Sequence, residues 1–511
     1  MRAFYPRFQR SFAPFSGASV LLLVLSADYF RQHSVLWRAL TDLPENQWLI
    51  TSCAGICLLA GTKRLLAAHQ ITLTAIPYSE SLRSVALHEF SLAVFLFLAF
   101  TAYALCYSVA CSPPDFLVLL AGVALGRLVA ATRFGHMDLS RFGSDNLLTA
   151  LVWFLALASV FHPQMVLEFS YRQTSRWTGP YSDPNSFGLL MGVGVVLSLA
   201  LIGRQLVSGS SGILSLGNLI KHPRQAEGGI LQVLPRLKTA CLGAVAVLLM
   251  AGLVNSYSRE AWLGTVVALA YLVFQAARNK PSMASRSQVS CADNLARLPK
   301  SSELPPSARS ERFLLPVAII AASFAVFAFW SFRHAESAPV RRVFSVANAS
   351  DFSWRNRIVT YVGSLQMMAD RPWFGLGWNE LGRVYDKLYR PSELAEDAHI
   401  SVQSNAYFIL AMTLGIPVTV CFLMYVGGCL IQRSGLEIAH TARYGANHLP
   451  IETVCRAGAI VLLVGFWFDG GLFRLPTGAT FWSLLELGRD YGGRVGISLS
   501  RCMNSTMERP D

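Results

Sequence analysis

Four stretches of the chain hold residue types from which chemistry could be built. RWTGPYSDPNSFG (176–188) places Arg176, Asp183 and Asn185 around a Pro184 turn that runs into a helix N-cap. NSYSREAWLG (255–264) sets Arg259 beside Glu260 at the head of an apolar run. SWRNRIVTYVGSLQMMADRPWFGLGWNELG (353–382) contains Arg357 and Arg371; its 357–368 segment has the spacing of an amphipathic surface helix, and 370–377 reads as a turn. His399 follows, ahead of SNAYFILAMTLG (404–415) with Asn405 and Tyr407. An arginine is always charged and presents a rigid fork of donors, and an ionisable group at a membrane boundary is a candidate site residue. Plainer readings stand beside these: Asp183 and Asn185 as helix caps, Arg259 as a snorkelling side chain paired with its neighbour, 357–368 as a solvated interfacial helix, His399 as a surface residue without a role.

The elements that must position these groups follow from composition. Of 511 residues, 53% are hydrophobic and 14% charged, and the mean hydropathy is +0.42. A soluble domain carries about 25% charged residues, so a soluble enzyme, a disordered chain and a fibrous protein are all excluded. The apolar residues fall into blocks near the ~20 residues needed to cross a bilayer as a helix. The net charge of +13 would suggest nucleic acid in a soluble protein; here the basic residues collect between apolar blocks, as cytoplasmic loops require, and no nucleic-acid partner is expected. The ten cysteines show no zinc spacing, no carboxylate cluster suggests a metal, and no phosphate-cradling glycine loop is present.

The expected fold is an all-α polytopic bundle of about twelve transmembrane helices, near 15–30, 48–66, 91–110, 115–132, 145–163, 186–203, 239–255, 261–277, 313–332, 405–431, 454–473 and 478–490. The first is read as an uncleaved helix because its apolar core lacks a cleavage site. Twelve spans put both termini on the cytoplasmic side, which gathers Arg133, Arg141, Arg204, Lys221 and the basic 278–312 segment inside. The organisation is then 1–144 with helices 1–4, 145–332 with helices 5–9 and flexible cytoplasmic loops 207–237 and 278–312, a large, partly helical periplasmic loop at 333–404, 405–490 with helices 10–12, and a tail at 491–511. All four chemistry-bearing stretches fall on the outer, periplasmic face.

In that order and on that side, the stretches resemble the O-antigen ligase and O-antigen polymerase family of bacterial membrane glycosyltransferases. GPYSDPNSFG is similar to the family's Gly-x-x-x-Asn/Asp-Pro-Asn loop, and Ser258, Arg259 and Trp262 match its Ser-Arg-x-x-Trp/Leu segment. Arg357 leads the outer helix, with Arg371, Pro372, Gly375 and Gly377 as its Arg-Pro-x-x-Gly-x-Gly ending. Asn405, Tyr407 and Gly415 match the start of the following helix. The likeness spans roughly 145–430.

The resemblance implies transfer of a glycan from a polyprenyl-pyrophosphate carrier to an acceptor hydroxyl, the acceptor being a glycan or a lipid, within the bilayer and without a cofactor. As the glycosidic bond breaks, charge builds on pyrophosphate oxygens, which guanidinium groups hold in bidentate geometry. Arg259 and Arg357 are the implied catalytic clamp, metal-independent, with Arg176, Asp183, Asn185, Arg371, Asn405 and Tyr407 binding substrate. The family's histidine position holds Ser404, and an unassisted serine hydroxyl is no general base near neutral pH. His399, five residues earlier, is the candidate to take the acceptor proton, since an imidazole titrates near pH 6.5. Two alternatives are a multi-spanning transporter or flippase of lipid-linked glycans, which calls for ionisable residues in mid-helix, and a non-catalytic glycan-lipid-binding relative. Arg127 and Asp469, the latter poised to pair with Arg474, are the deepest such charges.

Overall fold

The computed structural model describes residues 80–106, 113–132, 144–160, 170–171, 174–181, 183–213, 229–278, 352–378, 381–390, 405–431 and 449–489. The helices expected at 15–30, 48–66 and 313–332, the 279–312 segment, the 491–511 tail, Ser404 and His399 lie outside the described residues. Within them the chain is helical: α1 (Glu80–Cys106), α2 (Pro113–Thr132), α3 (Ser144–Val160), α4 (Pro184–Ile213), α5 (Gly229–Asn255), α6 (Arg259–Arg278), α7 (Phe352–Asp370), α8 (Leu381–Leu388), α9 (Ala406–Leu414), α10 (Ile416–Ile431), α11 (Ile451–Phe466) and α12 (Leu475–Leu487). A short antiparallel ladder pairs β1 (Ser170–Tyr171) with β2 (Thr174–Ser175), and a 3-10 turn (Gly471–Phe473) precedes α12.

Among the described residues, three stretches, Pro184–Gln205, Leu237–Asn255 and Arg259–Arg278, are long and apolar enough to cross a membrane. The first is almost wholly buried, the other two only about one-third. α4 is therefore the inner helix, packed by α5, α6 and α11, while α5 and α6 turn apolar faces outward. Phe90, Phe97 and Phe100 on α1, Val247 on α5, Val266 and Phe274 on α6, and Val420 and Leu423 on α10 are all exposed. Such contiguous apolar surface is a liability in water and neutral in lipid; the protein is a membrane protein.

Lipid tails are as apolar as leucine, so helices in a bilayer associate through close packing rather than hydrophobic driving force. Gly188 and Gly192 lie four apart on α4, and a Cβ on Gly188 would stand 2.6 Å from Ser256 Oγ, while one on Gly192 would overlap Thr265 Oγ1. Gly264 on α6 meets the Val461 carbonyl of α11, where a Cβ would stand at 2.6 Å. These contacts seat α4 against small side chains of α6 and the turn before it, and α6 against the backbone of α11.

Several boundaries differ from the hydropathy reading. The helix expected at 405–431 is two, because Gly415 takes φ +89 between α9 and α10. The 454–473 span ends at Phe466, and α12 starts at Leu475, earlier than the expected 478. α4 continues to Ile213 and α5 begins at Gly229, so the expected linker 207–237 is helical at both ends. Hydropathy marks only the part of a helix that lies in lipid, and a helix continues past that depth wherever its backbone ladder is unbroken.

α12 is buried along its length, from Pro476 to Leu487. At its C-terminal end lies a network of matched charges. Arg127 reaches Glu89 and Glu486, each at 3.0 Å, and Arg489 reaches Glu89 at 2.9 Å and Glu486 at 3.5 Å. The Tyr425 hydroxyl donates to Glu486 and accepts from both arginines at 3.2 Å, its ring lying under the two guanidinium groups. Arg489, just past the end of α12, is thus a buried partner. Two cations against two carboxylates tie α1, α2, α10 and α12 together. Removing one member leaves an uncompensated buried charge: Arg127→Met is expected to cost about 3–5 kcal/mol, and Arg127→Met with Glu486→Gln to cost less than Arg127→Met alone. Thermal unfolding of the detergent-solubilised variants measures both.

Candidate functional site

The loop before α4 and the turn between α5 and α6 are laced together by main chain and arginine. Trp177 N–H donates to the Asn255 carbonyl at 3.0 Å, and Arg176 Nε donates to the Ser256 carbonyl at 2.9 Å. Arg176 Nη2 reaches Asn185 Oδ1 at 2.8 Å. The α5–α6 turn holds Tyr257 at φ +53, left-handed and costly for a residue with a Cβ. Ser256 Oγ accepts from Ser258 N–H at 3.2 Å, and Ser258 then caps α6 through Ala261 N–H at 3.4 Å. This capped turn fixes Arg259 and Glu260 as the first two residues of α6. Arg259 is half-buried.

Asp183 serves as a cap and more. It accepts from Ser186 N–H at 2.7 Å, closing the first turn of α4, and its Oδ2 also binds Arg474. The same Arg474 Nη1 reaches Asp469 Oδ2 at 3.0 Å and Ser186 Oγ at 2.9 Å. One nitrogen thereby joins the head of α4 to the 467–474 turn between α11 and α12. Burial pushes the Asp469 carboxyl above the usual range; Arg474 opposes this, and Asp183 and Glu260 push the same way. Glu260 is therefore part of this acidic neighbourhood. It is buried, and its Oε1 has no hydrogen-bond partner among the described residues.

α7 lies across the same turn from the other side. The Arg357 guanidinium stands over the Phe468 ring, 5.7 Å from its centroid, and the Tyr361 hydroxyl donates to the Trp467 carbonyl at 3.3 Å. Burial raises the Tyr361 hydroxyl, while Arg357 and the Asn405 amide pull it down and Glu260 pushes it up. Tyr361 is thus the point at which α7, α6 and the head of α9 share one field. Asn405 is 1% exposed; its Oδ1 caps α9 through Tyr407 N–H at 2.9 Å and Phe408 N–H at 3.3 Å. Its Nδ2, on the Tyr361 side, makes no hydrogen bond of good geometry among the described residues.

The structure thus brings Arg357, Asn405 and Glu260 around Tyr361, and Glu260 and Asp183 around Asp469, with Arg176 and Asn185 on the flanking loop. Two predicted residues sit otherwise. Arg371 is exposed, near the paired Tyr389 hydroxyl and Asp370 carboxylate, and Tyr407 gives its hydroxyl to the Leu463 carbonyl at 2.7 Å. Glu260, Tyr361, Phe468 and Arg474 carry much of the geometry and were not among the predicted site residues. The Arg474–Asp469 pair was legible from its spacing of five; the Arg474–Asp183 contact, 291 residues apart, was not.

The glycines of the RPWFGLG turn have a mechanical reason. Gly375 and Gly377 adopt φ +62 and +76, and Leu376 and Gly377 N–H groups donate to the Met412 and Thr413 carbonyls at 2.7 and 2.9 Å. Ile416 N–H returns to the Pro372 carbonyl at 2.8 Å, and a Cβ on Gly415 would overlap the Trp373 carbonyl. The turn after α7 is thus docked on the α9–α10 break, which fixes Arg357 relative to Asn405. Among the described residues no group of His, Cys, Asp or Glu is arranged to hold a metal ion.

Two substitutions test this frame by thermal unfolding in detergent. Gly415→Ala forces a side chain into a glycine-only conformation and is expected to destabilise by about 1–3 kcal/mol. Because a single nitrogen of Arg474 makes all three contacts, Arg474→Lys is expected to retain most of the stability that Arg474→Ala loses, about 1–3 kcal/mol for a partly exposed node.

Residues 244–423 match the family model described as O-antigen ligase, from within α5 through α10. The matched segment contains Arg259, Glu260, Arg357, Arg371, Asn405 and Tyr407, whereas Arg176, Asp183, Asp469 and Arg474 are brought to it from either side. No curated protein matches the chain. With helices built for a bilayer on either side of it, the 244–423 segment is similar to the O-antigen ligase family.

Proposed function

We propose that the protein transfers a glycan from a polyprenyl-pyrophosphate carrier to an acceptor hydroxyl at the periplasmic face, in the manner of O-antigen ligases and polymerases. The observation that carries this reading is Arg357: a half-buried guanidinium over an aromatic ring, with no ion pair among the described residues, beside a buried amide and a buried carboxylate that each have an unused polar atom. Buried polar atoms in native structures are almost always satisfied; a donor, an acceptor and a cation left open together await a polar, anionic ligand.

The chemistry follows from the charges. Breaking the bond between the anomeric carbon and the pyrophosphate leaves charge on phosphate oxygens. Arg357, with Arg259 at the head of α6, supplies preformed positive charge there, which replaces a divalent cation. Asn405 Nδ2 donates to a sugar or phosphate oxygen, and Arg176 and Asn185 line the approach. Exposed apolar faces on α5 and α6 give the polyprenyl tail a path from the bilayer.

The matched charges at the far end of α12 weigh against the transporter reading, because each deep ion there is balanced within the bundle. A strain lacking the gene is expected to lose surface polysaccharide and accumulate its lipid-linked precursor. Complementation with Arg357→Ala should lower transfer by about 10²–10³-fold, the scale of losing one preorganised transition-state donor, and Arg357→Lys should recover part of it. Wild-type glycan profiles from Arg259→Ala and Arg357→Ala together would end the reading.

A further inference from the structure

We infer that Glu260 is the group that accepts the proton of the attacking hydroxyl, an inference resting on the transferase reading above. Glu260 is 5% exposed, and its Oε1 is buried without a hydrogen-bond partner among the described residues. A carboxylate removed from water and left with an open acceptor position is costly, and a hydroxyl that arrives with a ligand can fill that position.

Its placement selects the hydroxyl. Glu260 lies in the first turn of α6, on the face that continues through Gly264 onto α11, and its charge is felt by both Tyr361 and Asp469. Arg357 leans over Phe468, the neighbour of Asp469, and Asn405 Nδ2 is beside Tyr361. A pyrophosphate held by the arginines would therefore present its anomeric carbon within this neighbourhood, and an acceptor hydroxyl approaching that carbon would meet Glu260. The other two carboxylates are engaged: Asp183 caps α4 and binds Arg474, and Asp469 binds Arg474. With Ser404 unable to act as a base, Glu260 is, among the described residues, the buried carboxylate with an open oxygen.

In the step, the acceptor oxygen forms a bond to the anomeric carbon as its proton passes to Glu260. The bond from that carbon to the pyrophosphate breaks, and its electron pair leaves on the phosphate oxygen. Glu260 then returns the proton to water.

The test uses membranes of the deletion strain carrying full-length variants, with that strain's accumulated lipid-linked glycan as donor. Glu260→Gln keeps the shape and removes the basicity, so transfer should fall by about 10²-fold or more, with the thermal midpoint close to wild type. Added formate should restore part of the rate to Glu260→Ala and none to Arg357→Ala, a rescue that a merely structural role would not produce. Glu260→Gln within threefold of wild type, with Arg357→Ala inactive, would remove Glu260 and leave the transferase reading standing. An inactive His399→Ala together with a Glu260→Ala that formate does not rescue would move the proton to the histidine. Wild-type rates from all of the arginine variants would instead remove the reading itself.

Discussion

Among the described residues, two ion-paired sets hold much of the buried charge, and the architecture depends on them. Apolar helices surrounded by lipid gain little from meeting one another, while an unpaired ion among them is costly. Each end of the fully buried α12 is therefore fastened by ions. Arg474 holds Asp183 and Asp469 at one end, and Arg127 and Arg489 hold Glu89 and Glu486 at the other. Thirteen residues of helix, about 20 Å, separate the two sets. One set is closed on itself; the other adjoins Glu260, whose open oxygen makes that end chemically available.

Glycine supplies what the ions do not. On α6 it lets the backbone touch that of α11, and on α4 it makes room for Ser256 and Ser258, so the capped turn carrying Arg259 and Glu260 is seated against Gly188. After α7 it serves a different purpose, allowing a turn to hydrogen-bond into the break between α9 and α10. The motif glycines around Arg371 are thus a joint that sets the distance from Arg357 to Asn405, and Arg371 itself sits exposed on the outside of that joint. Tyr407 has a comparable part, anchoring α9 to α11 through the Leu463 carbonyl. Motif membership identifies residues the site needs without separating those that touch substrate from those that hold the frame.

The cluster at the motif end suits an anionic, polar ligand whose hydrophobic remainder stays in lipid. Guanidinium groups keep their charge at any working pH and need no accompanying ion to meet a diphosphate. A carboxylate beside them, sealed from water, would be poised against a hydroxyl in a medium where each such contact is worth more than it is in solution.

The amino-acid sequence alone determined that the chain belongs in a membrane, where most of its described helices run, and which arginines deserve suspicion, because hydropathy, caps and short motifs are local properties. It also exposed the Asp469–Arg474 pair, five residues apart. It did not place the boundary at Gly415, since α9 and α10 read as one apolar run and only the docked RPWFGLG turn requires a break there. Nor did it rank Glu260 or link Asp183 to Arg474 across 291 residues. Which buried atoms find partners and which stay open is settled by helices packing from opposite ends of the chain. That packing left Glu260 and Asn405 with open atoms and filled the hydroxyl of Tyr407.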